Sequence, residues 1–240
     1  MFRHTGKRRT YKHNLRIASL LSFVAGTVNV AGFLSVKQLT TNVTGHFAFF
    51  IDEIFQLNFS QGFAYLLYVL FFLMGSFVSS LLVEIINRKQ EAYIYIIPTV
   101  TESIILFAVA LLGTSLSTHH PNLLAYSLLF AMGLQNSLVT TISNASVRTT
   151  HLTGLFTDLG IELSQLFFYT HPEQRNKLLS SIRLRLTIIA FFFLGGIIGG
   201  TCYTFIGLKV LAIAGAALLL GIIIDSVKLR LLLLKRKIQQ

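Results

Sequence analysis

The sequence predicts an all-α integral membrane protein with six membrane-crossing helices and two short re-entrant or broken segments, arranged as two inverted repeats. Three observations carry this expectation. Of the 240 residues, 53% are hydrophobic and 12% charged, whereas a soluble domain carries about a quarter charged residues. The stretches 17–36, 54–83, 103–147 and 186–208 hold no Asp, Glu, Lys or Arg, and each exceeds the roughly 18 apolar residues that mark a membrane helix. The pattern Thr-Thr-x-x-Thr-Gly interrupts this apolar background twice, at 40–45 and 149–154.

Residues 1–15 read as a basic cytoplasmic N-terminus, with Arg3, Lys7, Arg8, Arg9 and Lys12, and Arg16 follows at the start of the first apolar run, 16–36. No small-x-small cleavage pattern follows that run, so it is expected to stay in the membrane. A shorter, more polar segment, 41–57, begins at the first Thr-Gly motif. Within the next run, 62–86, the stretch Phe63–Val83 shows no polar face to water, which excludes a soluble bundle. Runs at 92–115 and 122–143 follow, then a second short segment, 150–169, at the second motif. The longest hydrophilic loop is expected at about 171–185. Between 186 and 224 the only charge is Lys209; this is too long for one crossing, so it divides at Gly207-Leu208-Lys209 into 184–207 and 209–227. Residues 16–227 form one membrane domain, with repeat one at about 16–115 and repeat two at about 122–227. Residues 228–240 form a basic cytoplasmic C-terminus.

The basic residues arbitrate the number of crossings. With six crossings and the N-terminus inside, 18 of the 20 Lys and Arg lie on the cytoplasmic side, and only Lys37 and Lys209 lie opposite. Eight crossings worsen the division to 15 against 5, so the positive-inside rule favours six. The expected place is the inner or plasma membrane, with both termini cytoplasmic. The formal charge of +11 therefore implies a bilayer with anionic headgroups as partner and excludes nucleic acid. Cys202 stands alone, which excludes an internal disulfide.

The halves align beyond the threonines. AGTVN (25–29) matches MGLQN (132–136), Thr40-Thr41 matches Thr149-Thr150, Thr44-Gly45 matches Thr153-Gly154, Glu53 matches Glu162, and FLMG (72–75) matches FLGG (193–196). Three crossings per half turn the second copy upside down, a recurring build for secondary transporters. Non-helical backbone at membrane depth must be buried or line a watery cavity. Thr and Asn satisfy freed backbone groups there, and Gly allows tight turns. The two motifs are thus expected to meet at the centre. Asn29, Thr41, Thr44, Gly45, Gln135, Asn136, Thr150, Thr153 and Gly154 are the candidate substrate contacts. Interhelical hydrogen bonding is the competing role for Asn29, Gln135 and Asn136. Ionisable groups within spans point to function, so Glu53, Glu102, Arg148, Asp158 and Glu162 are candidates for coupling or charge relay; Glu84 and Asp225 fit helix ends. The small-residue runs 195–200 and 212–221 suit close helix packing, within the chain or in a homodimer.

The segments VAGTVNVAGFLS (24–35), TTNVTGHF (40–47), FAMGLQNSLVT (130–140) and VRTTHLTGLFTDLG (147–160) resemble the YoaK-like family of bacterial membrane proteins, which carry a domain of unknown function. In that family the first motif more often reads Gly-x-x-Asp followed by Thr-Gly-Asn; here Asn29 and His46 stand at those positions. The resemblance implies a multi-pass inner-membrane protein and names no substrate.

No enzyme is expected. His119-His120 is a lone pair without zinc spacing, and neither a phosphate-binding loop nor a nucleophile elbow occurs. No cofactor or metal is implied. The expected function is a small secondary transporter whose central site holds a small anion or carboxylate solute. The alternatives are a cation-selective transporter or channel, and a sensor, structural protein or intramembrane enzyme.

Overall fold

The computed structural model describes residues 10–87 and 94–238, with side chains up to 227 and not at 87. The basic residues up to Arg9 and most of the 87–91 connection, both expected on the cytoplasmic side, lie outside the described residues. Helices succeed one another without a strand among the described residues: α1 (Tyr11–Val36), α2 (Val43–Phe55), α3 (Phe59–Asn87), α4 (Ile96–His119), α5 (Pro121–Ser143), α6 (Leu152–Gln165), α7 (Pro172–Ile206) and α8 (Val210–Ile238). The short segments α2 and α6 fall at the two motifs.

Local chemistry sets the ends. α1 stops at Lys37, whose φ of 58° turns the chain and whose N–H returns to the Phe33 carbonyl. α5 starts on Pro121, a residue suited to a first helical turn, and ends at Asn144 with φ 51°, a conformation Asn tolerates. α7 and α8 part at Gly207, with φ 58° and ψ −144°, and a 3-10 turn covers Gly207–Lys209, where the sequence places the division. One expectation fails. The hydrophilic stretch 171–185 is not a loop, because α7 begins at Pro172. Pro172 opens the helix and Lys177 pairs with Glu173 at 2.8 Å one turn earlier, so the polar stretch is a helix extension that a hydropathy reading passes over.

Five helical stretches among the described residues are long and apolar enough to cross a membrane; the last, Pro172–Val227, runs through the 3-10 turn and so contains two helices. Large apolar side chains face outward along them, including Leu73, Phe77 and Leu81 of α3, Leu111 of α4, and Ile213, Leu220 and Ile224 of α8. A water-soluble monomer does not expose apolar surface on this scale. The chain is a multi-pass membrane protein. Leu21, Val28, Leu106, Leu128, Met132, Leu138, Ile188 and Leu218 fill its interior.

Two seams join the long helices. In one, α1 lies on α7; in the other, α3 lies on α5. Each seam is built from two copies of Phe-x-x-Gly. A Cβ at Gly26 would strike the Phe192 carbonyl, and a Cβ at Gly195 the Phe23 carbonyl. Likewise a Cβ at Gly133 would strike the Phe72 carbonyl, and one at Gly75 the Phe130 carbonyl. Only glycine permits such backbone approach. Thr27 donates to the Gly195 carbonyl at 3.0 Å and Ser76 to the Gly133 carbonyl at 3.2 Å. The small-residue run 195–200 is therefore used inside the chain. The seam positions differ by one from the alignment expected of the halves: Phe192 and Gly195 make the contacts in one seam that Phe72 and Gly75 make in the other, rather than residues 193 and 196.

Contact order gives the directions. α1 and α7 run parallel, with Gly26 at Phe192 and Leu34 at Gly200. α3 and α5 run parallel, with Tyr68 at Asn122 and Gly75 at Phe130. α1 and α5 run antiparallel, with Leu21 at Gln135 and Gly32 at Leu128. α4 and α8 also run antiparallel, with Gly113 at Leu208 and Ser103 at Gly215.

Candidate functional site

Both Thr-Gly motifs fold back onto the helix that precedes them, and they do so in the same way. In the first, the buried Thr40 donates to the Val28 carbonyl at 3.3 Å, and Thr41 donates to Asn29 Oδ1 at 2.9 Å. In the second, Gln135 Nε2 donates to the buried Thr149 at 3.2 Å, and Asn136 Nδ2 donates to Thr150. The first threonine is thus packed into the bundle and the second is held by an asparagine. Asn29 and Asn136 each stand seven residues before the end of their helix, so each connection returns by about 10 Å along the helix axis.

The motifs do not meet at the centre. Because α1 and α5 are antiparallel, their C-terminal ends lie at opposite ends of the bundle, and each motif turns back into it from its own end. Gln135 sits level with Leu21, which puts Asn29 and Asn136 roughly 12 Å apart along the axis. Asn29, Gln135 and Asn136 hold threonines of their own half, and Gln135 Nε2 also reaches the Leu21 carbonyl at 3.1 Å. Thr44 and Thr153 are exposed on the first turns of α2 and α6.

The helices that leave the two motifs differ. Asn42 Oδ1 caps α2 by accepting from the Gly45 N–H at 3.0 Å. His46, buried one turn on, meets the Leu39 carbonyl at 2.7 Å through Nε2 and packs against Tyr65 and Tyr68. At the first motif, aromatic side chains of α2 and α3 thus pack together. In α6 the position of Asn42 is taken by His151, which is exposed and caps nothing. Among the described residues, no partner meets the N–H groups of Leu152, Thr153 and Gly154. Here a cavity of about 480 Å³ opens between the start of α1, the α5–α6 connection, α6 and α7, lined among others by Tyr11, Asn14, Arg148, His151, Asp158 and Arg185. The Tyr11 hydroxyl is buried and without a partner.

The charged candidates separate. Asp158 and Glu162 lie on one face of α6 and converge on Arg185 of α7, at 2.9 Å to Nη1 and 2.8 Å to Nε. Glu162 Oε1 also accepts from Arg185 Nη2 at 3.0 Å and from Ser181. The pair is thus engaged by a guanidinium rather than standing free as a relay. The sequence reading leaves Arg185 at the boundary between the 171–185 loop and the 184–207 run; its spacing of four from Ser181, one helical turn, is the signal that could have found it. Glu53 accepts from Asn58 at 2.8 Å and closes the α2–α3 turn, away from any such cluster. Arg148 is exposed at the cavity. Glu102 is 1% exposed on the inner face of α4, with Oε1 unpaired. Ser22 Oγ and Gln135 Oε1 are likewise buried and unpaired.

Residues 17–224 match the model of a family described as a protein of unknown function, DUF1275. The chain belongs to the DUF1275 family. The match covers both motifs and six long helices, in agreement with the resemblance in the sequence. No curated protein and no solved structure matches this DUF1275 member significantly.

Proposed function

We propose that the chain is a small secondary transporter of six crossings in two inverted repeats, with both termini on the cytoplasmic side of the plasma membrane. The paired Phe-x-x-Gly seams, the matched Asn–Thr hydrogen bonds and the antiparallel α1 and α5 support the repeats. The observation that carries transport is the difference between two matched sites. The site at the second motif is an open cavity, and the site at the first is filled by His46, Tyr65 and Tyr68. A carrier open on one side and sealed on the other has this asymmetry.

The cavity's chemistry favours a small anion or the carboxylate end of an organic solute. The uncapped N-terminus of α6 carries roughly half a positive charge, and Arg148 stands beside it while Arg185 is balanced by Asp158 and Glu162. Glu102, buried with an unpaired oxygen, is where a co-transported cation would be held. Purified protein in liposomes tests the reading with a panel of small carboxylates, inorganic anions and cations. Uptake of a carboxylate or anion is expected, reduced at least about tenfold in Arg148→Gln, the scale of one lost charge-assisted hydrogen bond. Flux of cations alone, unchanged in Arg148→Gln, would overturn it.

A further inference from the structure

A second opening lies on the outer surface of the bundle, away from the cavity at α6. It is a groove of about 520 Å³ between α1, α7 and α8, walled by Leu20, Phe23, Phe191, Ala217 and Gly221, with Arg16 at one end. From Arg16 to Phe23 it runs about 10 Å along the helices. Its rim includes Leu220 and Ile224, which face outward. Asp225 also lies at this end, and it has a partner of its own. Arg16 is exposed and forms no ion pair with a described residue.

We propose that this groove binds one anionic phospholipid of the N-terminal-side leaflet, with an acyl chain between α1 and α8 and the phosphate on Arg16. The groove faces where lipid must lie, and its walls offer an acyl chain apolar contact. At its mouth Arg16 is the exposed charge, whereas Asp225 is buried and partnered. Arg is suited to phosphate, which its planar fork meets with two donors. Two other occupants fit less well. Residues 1–9 carry Arg3, Lys7, Arg8 and Arg9, which Arg16 would repel. A helix of a second copy would have to bury Arg16 against apolar side chains, at a cost.

Native mass spectrometry of the full chain in detergent tests this, with phosphatidylglycerol and phosphatidylcholine of identical acyl chains added in equal amounts. One phosphatidylglycerol per chain is expected to be retained about fivefold over phosphatidylcholine, the factor for about 1 kcal/mol from one basic residue at an anionic surface. Arg16→Gln should bring the ratio near one, and Lys12→Gln should leave it unchanged. Ala217→Phe, which fills the groove, should lower retention of both lipids. Should Ala217→Phe fail to fold, Arg16→Gln decides alone, because the exposed Arg16 packs no core. Equal retention in the wild type, a ratio that survives Arg16→Gln, or an equal loss in Lys12→Gln would overturn the proposal. So would a dimer that Ala217→Phe abolishes, since the groove would then belong to a second copy.

Discussion

A single guanidinium organises the charged face of α6. Glu162 meets Arg185 with a side chain 12% exposed, whereas that of Asp158 is 50% exposed. Removing the more buried carboxylate strands more of the charge, so Glu162→Gln should cost on the order of 1–3 kcal/mol. Asp158→Asn, at a wetter site, should cost under about 1 kcal/mol. Melting curves in detergent rank the two; the reverse order would refute the assignment of Glu162 as the main partner. His151 supplies a second test, since Asn42 caps α2 from the matching position. His151→Asn should cap α6, raise its stability by about 0.5–1 kcal/mol and weaken anion binding by occupying the Gly154 N–H. Calorimetry with the anion found to bind would read both changes. The sequence singles out Asp158, Glu162 and Arg148, but not Arg185. A carboxylate within an apolar run stands out by composition. An arginine just before such a run looks like a positive-inside flank, and only its helical register reveals a partner.

Among the helices, hydropathy reveals the buried α1 and α5 as well as the lipid-facing α3. The span at 62–86 is legible because no polar face interrupts it. The first turns of α7 are not, since charges spaced along a helix resemble charges in a loop. The seams are partly legible: glycines mark close packing, but not which residue faces which carbonyl. That pairing makes a sharp forecast for substitutions. Gly133→Ala puts a methyl against the Phe72 carbonyl, where backbone on both sides cannot yield, and should destabilise by several kcal/mol, on the scale of severe overpacking. Gly160, on α6, has nothing within 4 Å of an added Cβ, so Gly160→Ala should stabilise by up to about 1 kcal/mol from helix propensity. Thermal melts showing the two alike would contradict the seam.

Across the whole molecule, the sequence predicts two related halves but not how they sit together. It places both motifs at one centre because a shared motif suggests a shared site. The antiparallel course of α1 and α5 brings them in from opposite ends instead, with Asn29 and Asn136 roughly 12 Å apart along the axis. The seams explain what the halves do for each other. α1 belongs to the first half and lies on α7 of the second; α3 belongs to the first and lies on α5 of the second. Neither half keeps its own glycine faces covered. The chain is in effect a tied-together exchange dimer, and the knot between its halves is the residue between α4 and α5, His120. Severing that knot leaves every seam intact. Residues 1–120 and 121–240 produced together as separate chains should therefore find each other in the membrane and co-purify, while either one alone is cleared by proteolysis.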